Sequence, residues 1–120
     1  MNRKTLVFGA SLNSGRFSNI AVRRLVDNGI DVVAFGSEGG PIYGIEIETV
    51  LQKYSDIDTV SLYMNPFNQS LFYDYIIGLN PNRVVFNPGT ENPEFWKRLD
   101  DHGINYEVAC TLVLLSTNQY

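Results

Sequence analysis

The sequence has a single cysteine, Cys110, so it can form no internal disulfide and offers no cysteine pair to a metal. A lone thiol suits a reducing compartment. The single histidine, His102, has no Asp, Glu or Cys partner at a nucleophile or metal-ligand spacing; just before Gly103 it reads as a cation suited to the last turn of a helix. Long hydrophobic runs are missing too. Met1-Asn2-Arg3-Lys4-Thr5 leads into a short apolar run, which leaves no signal-peptide core and no spanning segment. Basic residues are scarce: nine Lys and Arg against thirteen Asp and Glu give a net charge of −4. Binding a phosphate backbone needs a basic face that this balance does not supply. These absences predict a cytoplasmic protein with no nucleic-acid and no membrane partner. A local basic site for one small anionic ligand stays open.

What is present is an ordinary globular composition, 44% hydrophobic and 18% charged over 120 residues, which fits one domain, 1–120, that buries a real core without staples. Leu6-Val7-Phe8 is an apolar run that stops at Gly9-Ala10-Ser11, and Phe17, Ile20, Ala21 and Leu25 then follow helical spacing. Gly29 sits where a helix C-terminal glycine belongs, and Asp31 to Phe35 reads as a buried strand, completing a βαβ unit. A Gly-rich stretch from Gly36 to Gly44 is read as loop, and a short helix is predicted from about Glu48 to Tyr54.

The rhythm then repeats. A strand over Thr59 to Met64 ends at Asn65-Pro66, and a helix from about Asn68 to Ile77 places Leu71, Phe72, Tyr75 and Ile76 on one side. Arg83 to Asn87 is a fourth strand. Asn92-Pro93-Glu94 opens a helix with a cap, a preset φ and a negative charge at the dipole's positive end, and Phe95 and Leu99 lie on its inner face. Tyr106 to Cys110 reads as a fifth strand, with an apolar Leu112–Leu115 tail behind it. Strands alternating with helices imply an α/β fold: a three-layer, Rossmann-like, doubly wound parallel sheet of about five strands with helices on both faces.

In such a sheet ligands bind outside the carboxyl ends of the strands, where strand order reverses. The first strand ends Gly9-Ala10-Ser11-Leu12-Asn13-Ser14-Gly15-Arg16-Phe17-Ser18. Small residues let the backbone approach a phosphate, and the helix that follows favours an anion at its N-terminus. Arg16, with Ser18 two residues on, adds a fixed cation and a hydroxyl. The candidate binding residues here are therefore Gly9, Ala10, Ser11, Asn13, Arg16, Phe17 and Ser18. The NAD fingerprint is not met: Ser11 and Ser14 stand at its second and third glycine positions, and the acid nearest the second strand, Glu38, lies in the Gly-rich loop. No Arg or Lys follows that strand to take an NADP 2′-phosphate.

The ordered set of marks resembles the small stand-alone CoA-binding proteins, whose domain is similar to the nucleotide half of the succinyl-CoA synthetase alpha subunit. The marks are Gly9-Ala10-Ser11, Arg16-x-Ser18, the glycine-containing loop with Tyr43-Gly44, Asn65-Pro66, Gly89-x-Glu91-Asn92 and Cys110. The resemblance implies coenzyme A or an acyl-CoA as cofactor, with its phosphates near Ser11, Arg16 and Ser18. Its adenine would lie toward Gly36, Met64, Asn65 and Pro66. The chain departs from the pattern at Gly36-Ser37, where many relatives carry Asn-Pro, and at Ala109, where they carry Arg or Asn. The resemblance transfers no catalytic group, so the expected role is non-catalytic binding or regulation.

Other readings remain open. An NAD(P)- or other nucleotide-dependent small enzyme is one. Another is an interaction subunit with a vestigial pocket, pairing with a protein partner or a second copy through the Leu112–Leu115 tail. Asn87-Pro88-Gly89-Thr90-Glu91 lies at a strand end, where it either approaches a pantetheine or acyl group or simply turns the chain into the helix that follows. Tyr43, Phe67 and Tyr73 are the aromatics expected near a ligand, whereas Cys110 reads as an inert thiol in a strand. Asn68-Gln69-Ser70 matches a glycosylation acceptor by chance.

Overall fold

The alternation of side chains along β1 (Thr5–Phe8) sets the layering. Leu6 and Phe8 point into one core and Val7 into the other, all fully buried. β2 (Val32–Phe35) divides in the same way, with Val33 and Phe35 on the first face and Val32 and Ala34 on the second. The sheet is therefore covered on both sides. This computed structural model describes residues 3–120.

Seven strands form one sheet in the order β3-β4-β2-β1-β5-β6-β7, all neighbours parallel except β3 and β4. The remaining strands are β3 (Gly40–Ile42), β4 (Ile45–Glu48), β5 (Thr59–Leu62), β6 (Arg83–Phe86) and β7 (Asn105–Val108). The fold class is thus α/β with a mostly parallel sheet, but with seven strands rather than about five. The two additional strands come from the Gly-rich stretch and the residues just after it, β3 from within it and β4 from beyond Gly44. Gly40 pairs with Ile47 and Ile42 with Ile45, so the stretch supplies the first strand and the turn of a hairpin and is not an open loop.

The helix predicted over 48–54 is absent. An amphipathic helix needs a face to bury, and here Val50 and Leu51 stay exposed beyond the last pair of β4. α1 (Phe17–Asp27) covers the second face through Val22 and Leu25. α5 (Thr111–Ser116) joins it there, so the apolar tail is a helix packed beside α1, with Leu115 against the core. α2 (Pro66–Gln69), a 3₁₀ turn (Ser70–Phe72) and α3 (Tyr73–Gly78) replace the single helix expected over 68–77. The tighter turn rotates the buried face: Leu71 is 80% exposed, whereas Tyr73 and Ile76 are buried. α4 (Pro93–Asp101) starts at Asn92, whose side chain accepts a hydrogen bond from the Phe95 amide, and it buries Phe95 and Leu99 as its spacing requires.

Phe8, Phe35, Phe72 and Tyr75 pack together on the first face, and Phe86 contacts Phe95, Trp96 and Tyr106 beside them. No helix among the described residues is long and apolar enough to cross a membrane. Cys110 is not in a strand. It lies past β7 at the N-cap of α5 and is half-buried.

Candidate functional site

β1 is the point at which the strand order reverses: β2 lies on one side of it and β5 on the other. Their carboxyl ends open into a cleft of about 530 Å³. From the loop after β1 and the start of α1 it is lined by Gly9, Ala10, Ser11, Arg16, Phe17 and Ser18. After β2 come Gly36, Ser37 and Glu38; after β5, Tyr63, Met64, Asn65 and Asn68; after β6, Pro88.

Two glycines permit this geometry. Gly9 has a φ of +101°, and its backbone passes so near Tyr63 that a Cβ would lie 3.1 Å from the Tyr63 carbonyl carbon. At Gly36 a Cβ would meet the Ala10 carbonyl oxygen at 2.2 Å. The loop after β1 is drawn over the end of β2 because the Gly9 and Ala10 amides both donate to the Phe35 carbonyl, at 2.9 and 2.8 Å.

The same loop is braced from α1. The buried Asn19 donates to the Ser11 carbonyl at 2.9 Å, and Arg23 bonds both Asn19 Oδ1 and the Ser14 carbonyl. Asn13 and Pro66, two of the expected site residues, shape the cleft without lining it. Asn13 turns the loop by accepting from the Gly15 amide at 2.9 Å while its own amide donates to Ser11 Oγ. Pro66 occupies the first turn of α2, which the Asn65 side chain caps.

Arg16 is the N-cap residue of α1, an eleven-residue helix with no side-chain cap and no acidic residue in its first turn. No side chain therefore offsets the positive end of the dipole where α1 begins at the cleft. The Arg16 guanidinium is exposed, with no ion pair among the described residues. Its neighbour Phe17 is 70% exposed instead of packed inward, and Ser18 is buried against the cleft floor. Phe67 projects beside Asn68 at 88% exposure. Tyr43 and Tyr73 do not line the cleft: Tyr43 is in the hairpin turn, and Tyr73 is buried against Phe95. Glu38, set aside on sequence grounds as belonging to the Gly-rich loop, does line it.

The Tyr63 hydroxyl is buried and makes no hydrogen bond among the described residues; near it the Ser61 and Thr111 hydroxyls bond each other at 2.7 Å. Loss of hydration pushes its pKa up to about 12, with a further push from Cys110 and Tyr120, against a partial offset from Thr111 and Ser61. Burial also raises the Tyr54 pKa to about 12, assisted by Tyr75 and Glu48. A raised folded-state pKa means that the stability associated with the neutral phenol is complete below the unfolded value of 10.0 and is lost as the pH rises toward 12. Urea midpoints are expected to hold up to pH 9 and fall steeply between pH 10 and 12. Tyr63→Phe should flatten that fall, and an unchanged profile in the variant would exclude Tyr63 as a cause.

A second hollow, about 660 Å³, opens at the amino ends of β1, β5, β6 and β7. It is larger, but its polar groups serve one another. Arg83 bonds Thr59 Oγ1, Glu107 and the Tyr120 carbonyl, and lies over the Tyr120 ring, whose hydroxyl bonds Thr5. It anchors the chain after α5 and leaves the cleft as the candidate site. Asp58, beside it, is pushed up by burial, but hydrogen bonds from Asn82 and Thr59 and the charges of Arg3 and Arg83 outweigh this and hold the carboxyl below 3.8.

The chain matches the CoA binding domain over residues 3–116. It belongs to that family. A crystal structure of an uncharacterized protein is 39% identical, with a TM-score of 0.97, and the match covers 100% of this chain and 99% of that one. A protein from Thermus thermophilus shares 22% identity at a TM-score of 0.83, over 99% of this chain and 91% of its own. A hypothetical protein from Pyrococcus horikoshii shares 24% at 0.85, over 97% and 83%. These two likenesses concern the fold. No curated protein matches the chain.

Three further residues line the cleft, Ser37, Tyr63 and Asn68, and no binding motif in the sequence marks them. Asn68 belongs to the tripeptide that looked like a chance glycosylation match. Its neighbour Gln69 is fully buried and donates to the carbonyls of Met64 and Thr90, both at 2.8 Å, which ties the loop after β5 to the loop after β6. Asn87 is equally buried: it bonds Ser61, the Leu62 carbonyl and the Thr111 amide, and so fixes the start of α5. Of the Asn87–Glu91 segment, Pro88 lines the cleft.

Proposed function

We propose that the protein binds coenzyme A or an acyl-CoA in this cleft, as a non-catalytic binding or regulatory protein. The observation that carries the reading is Arg16: a guanidinium without a protein counter-ion among the described residues, at the uncapped N-terminus of a long helix, beside a small-residue loop. A diphosphate fits that arrangement, because backbone amides, helix dipole and a forked cation act together on an anion. Membership of the CoA binding domain family supports coenzyme A as the bearer of that diphosphate. The exposed Phe17 ring offers apolar area for a base or a pantetheine arm to cover.

Isothermal titration with CoA, acetyl-CoA and NAD tests the proposal, with Arg16→Ala as the control. Binding of CoA or its thioester is expected. Arg16→Ala should weaken it by about 1.5–3 kcal/mol, the usual worth of a hydrogen bond to a charged group, with little change in melting temperature. Undiminished binding by the variant would remove Arg16 from the site. If the coenzyme does not bind and NAD does, the dinucleotide reading replaces this one.

A further inference from the structure

The lining of the cleft contains one cation and one anion among the described residues, Arg16 and Glu38. They occupy different places. Arg16 is at the helix N-terminus that suits a diphosphate, whereas Glu38 follows β2, the neighbour of β1. In a doubly wound sheet, a nucleotide with its diphosphate on the loop after the first strand puts its ribose at the end of the second. The Glu38 side chain is exposed and has no ion pair or hydrogen bond among the described residues. No Lys, Arg or His occurs between Arg24 and Lys53, so the β2 side of the cleft has no local cation to offset its charge.

We infer that Glu38 sets the ligand class of this cleft: adenosine-diphosphate compounds whose ribose hydroxyls are free, in preference to those with a phosphate on the ribose. The inference rests on the nucleotide reading of the cleft and makes it more specific. An ionised carboxylate is an acceptor with no proton to give, so it pairs with a ribose diol and cannot pair with a phosphate. A ribose phosphate brings about −1.5 to −2 charges at pH 7 toward Glu38, and Arg16 cannot relieve the repulsion because it serves the diphosphate. Within the coenzyme A series, the cleft therefore prefers the dephospho form to CoA itself.

The test is titration of the wild type, Glu38→Gln and Glu38→Lys with CoA and with dephospho-CoA, at low and at moderate salt. The wild type is expected to prefer dephospho-CoA by about tenfold, the scale of a partly screened repulsion between like charges. The preference should shrink as salt is raised, fall to within about twofold in Glu38→Gln, and reverse in Glu38→Lys. Arg16→Ala should weaken both ligands together and leave their ratio unchanged. If both ligands bind the wild type equally, or CoA binds it better, Glu38 has no such role and the coenzyme reading stands. A wild-type preference that Glu38→Gln leaves intact also overturns the assignment to Glu38. If neither ligand binds the wild type, the coenzyme reading fails, and this inference fails with it.

Discussion

Gly36→Ala is expected to cost about 3 kcal/mol of folding stability, the upper range for overpacking, and to lower the melting temperature by roughly 10 °C. The added methyl would lie 2.2 Å from the Ala10 carbonyl oxygen and 3.1 Å from Ile47 Cγ2. Backbone, unlike a side-chain tip, cannot step aside here. Ala10 is held because its amide and that of Gly9 both donate to Phe35, and Gly36 is held because its own amide donates to the Glu48 carbonyl. Relief would have to break one of those bonds, and the loop that carries Ser11 toward the cleft would move with it. Ligand binding should therefore fall even at temperatures where the variant remains folded. Gly39→Ala is the matched control three residues on: its nearest neighbour would be at 3.6 Å, an ordinary contact, and no positive φ is required. A thermal scan in which the two variants melt within a degree or two of each other would show that the loop after β1 can give way.

The parallel strands β1, β2, β5 and β6 were legible because each is a short, largely buried apolar run that ends within three residues of a glycine or asparagine, whereas β7, Asn105-Tyr106-Glu107-Val108 and largely exposed, showed only through its place after α4. The hairpin was not legible. β3 has three residues and includes Pro41, which hides it from a propensity reading. Its signal was the turn itself: Tyr43-Gly44 stands between Ile42 and Ile45, and both turn residues have positive φ, +50° and +79°, as a two-residue hairpin of the primed type demands. Without that partner strand, the alternation of Ile45 and Ile47 is too short to mark a strand by itself.

The cleft was legible on the β1 side, where small residues and a basic helix start announce themselves within ten residues of one another. It was obscure on the far side, because Glu38, Tyr63 and Pro88 meet there only once four strands are in register. Distance along the chain also hid the struts. Asn19, Arg23 and Gln69 are polar residues of ordinary appearance whose purpose depends on carbonyls 5 to 21 residues away.

Among these struts Gln69 gives the other large effect. It is 0% exposed and uses both ends of its amide: Nε2 donates to the Met64 and Thr90 carbonyls, and Oε1 accepts from Asn92 Nδ2 at 2.9 Å. Asn92 in turn donates to the Tyr73 hydroxyl and caps α4. Gln69→Ala would leave two carbonyls without their donor, strip Asn92 of one acceptor and open a cavity between two loops. At about 1–3 kcal/mol for each buried group left unpaired, the expected loss is about 4 kcal/mol. Gln69→Leu keeps most of the volume, so the difference between the two variants isolates the cavity, and what Gln69→Leu still loses belongs to the hydrogen bonds. The site should feel the change as well, since Met64 lines the cleft while its carbonyl is one of the two that Gln69 holds. Urea unfolding of the two variants beside the wild type decides the matter. A Gln69→Leu midpoint equal to that of the wild type would mean that the loops after β5 and β6 hold their places without the strut, and that the wall of the cleft is set by packing instead.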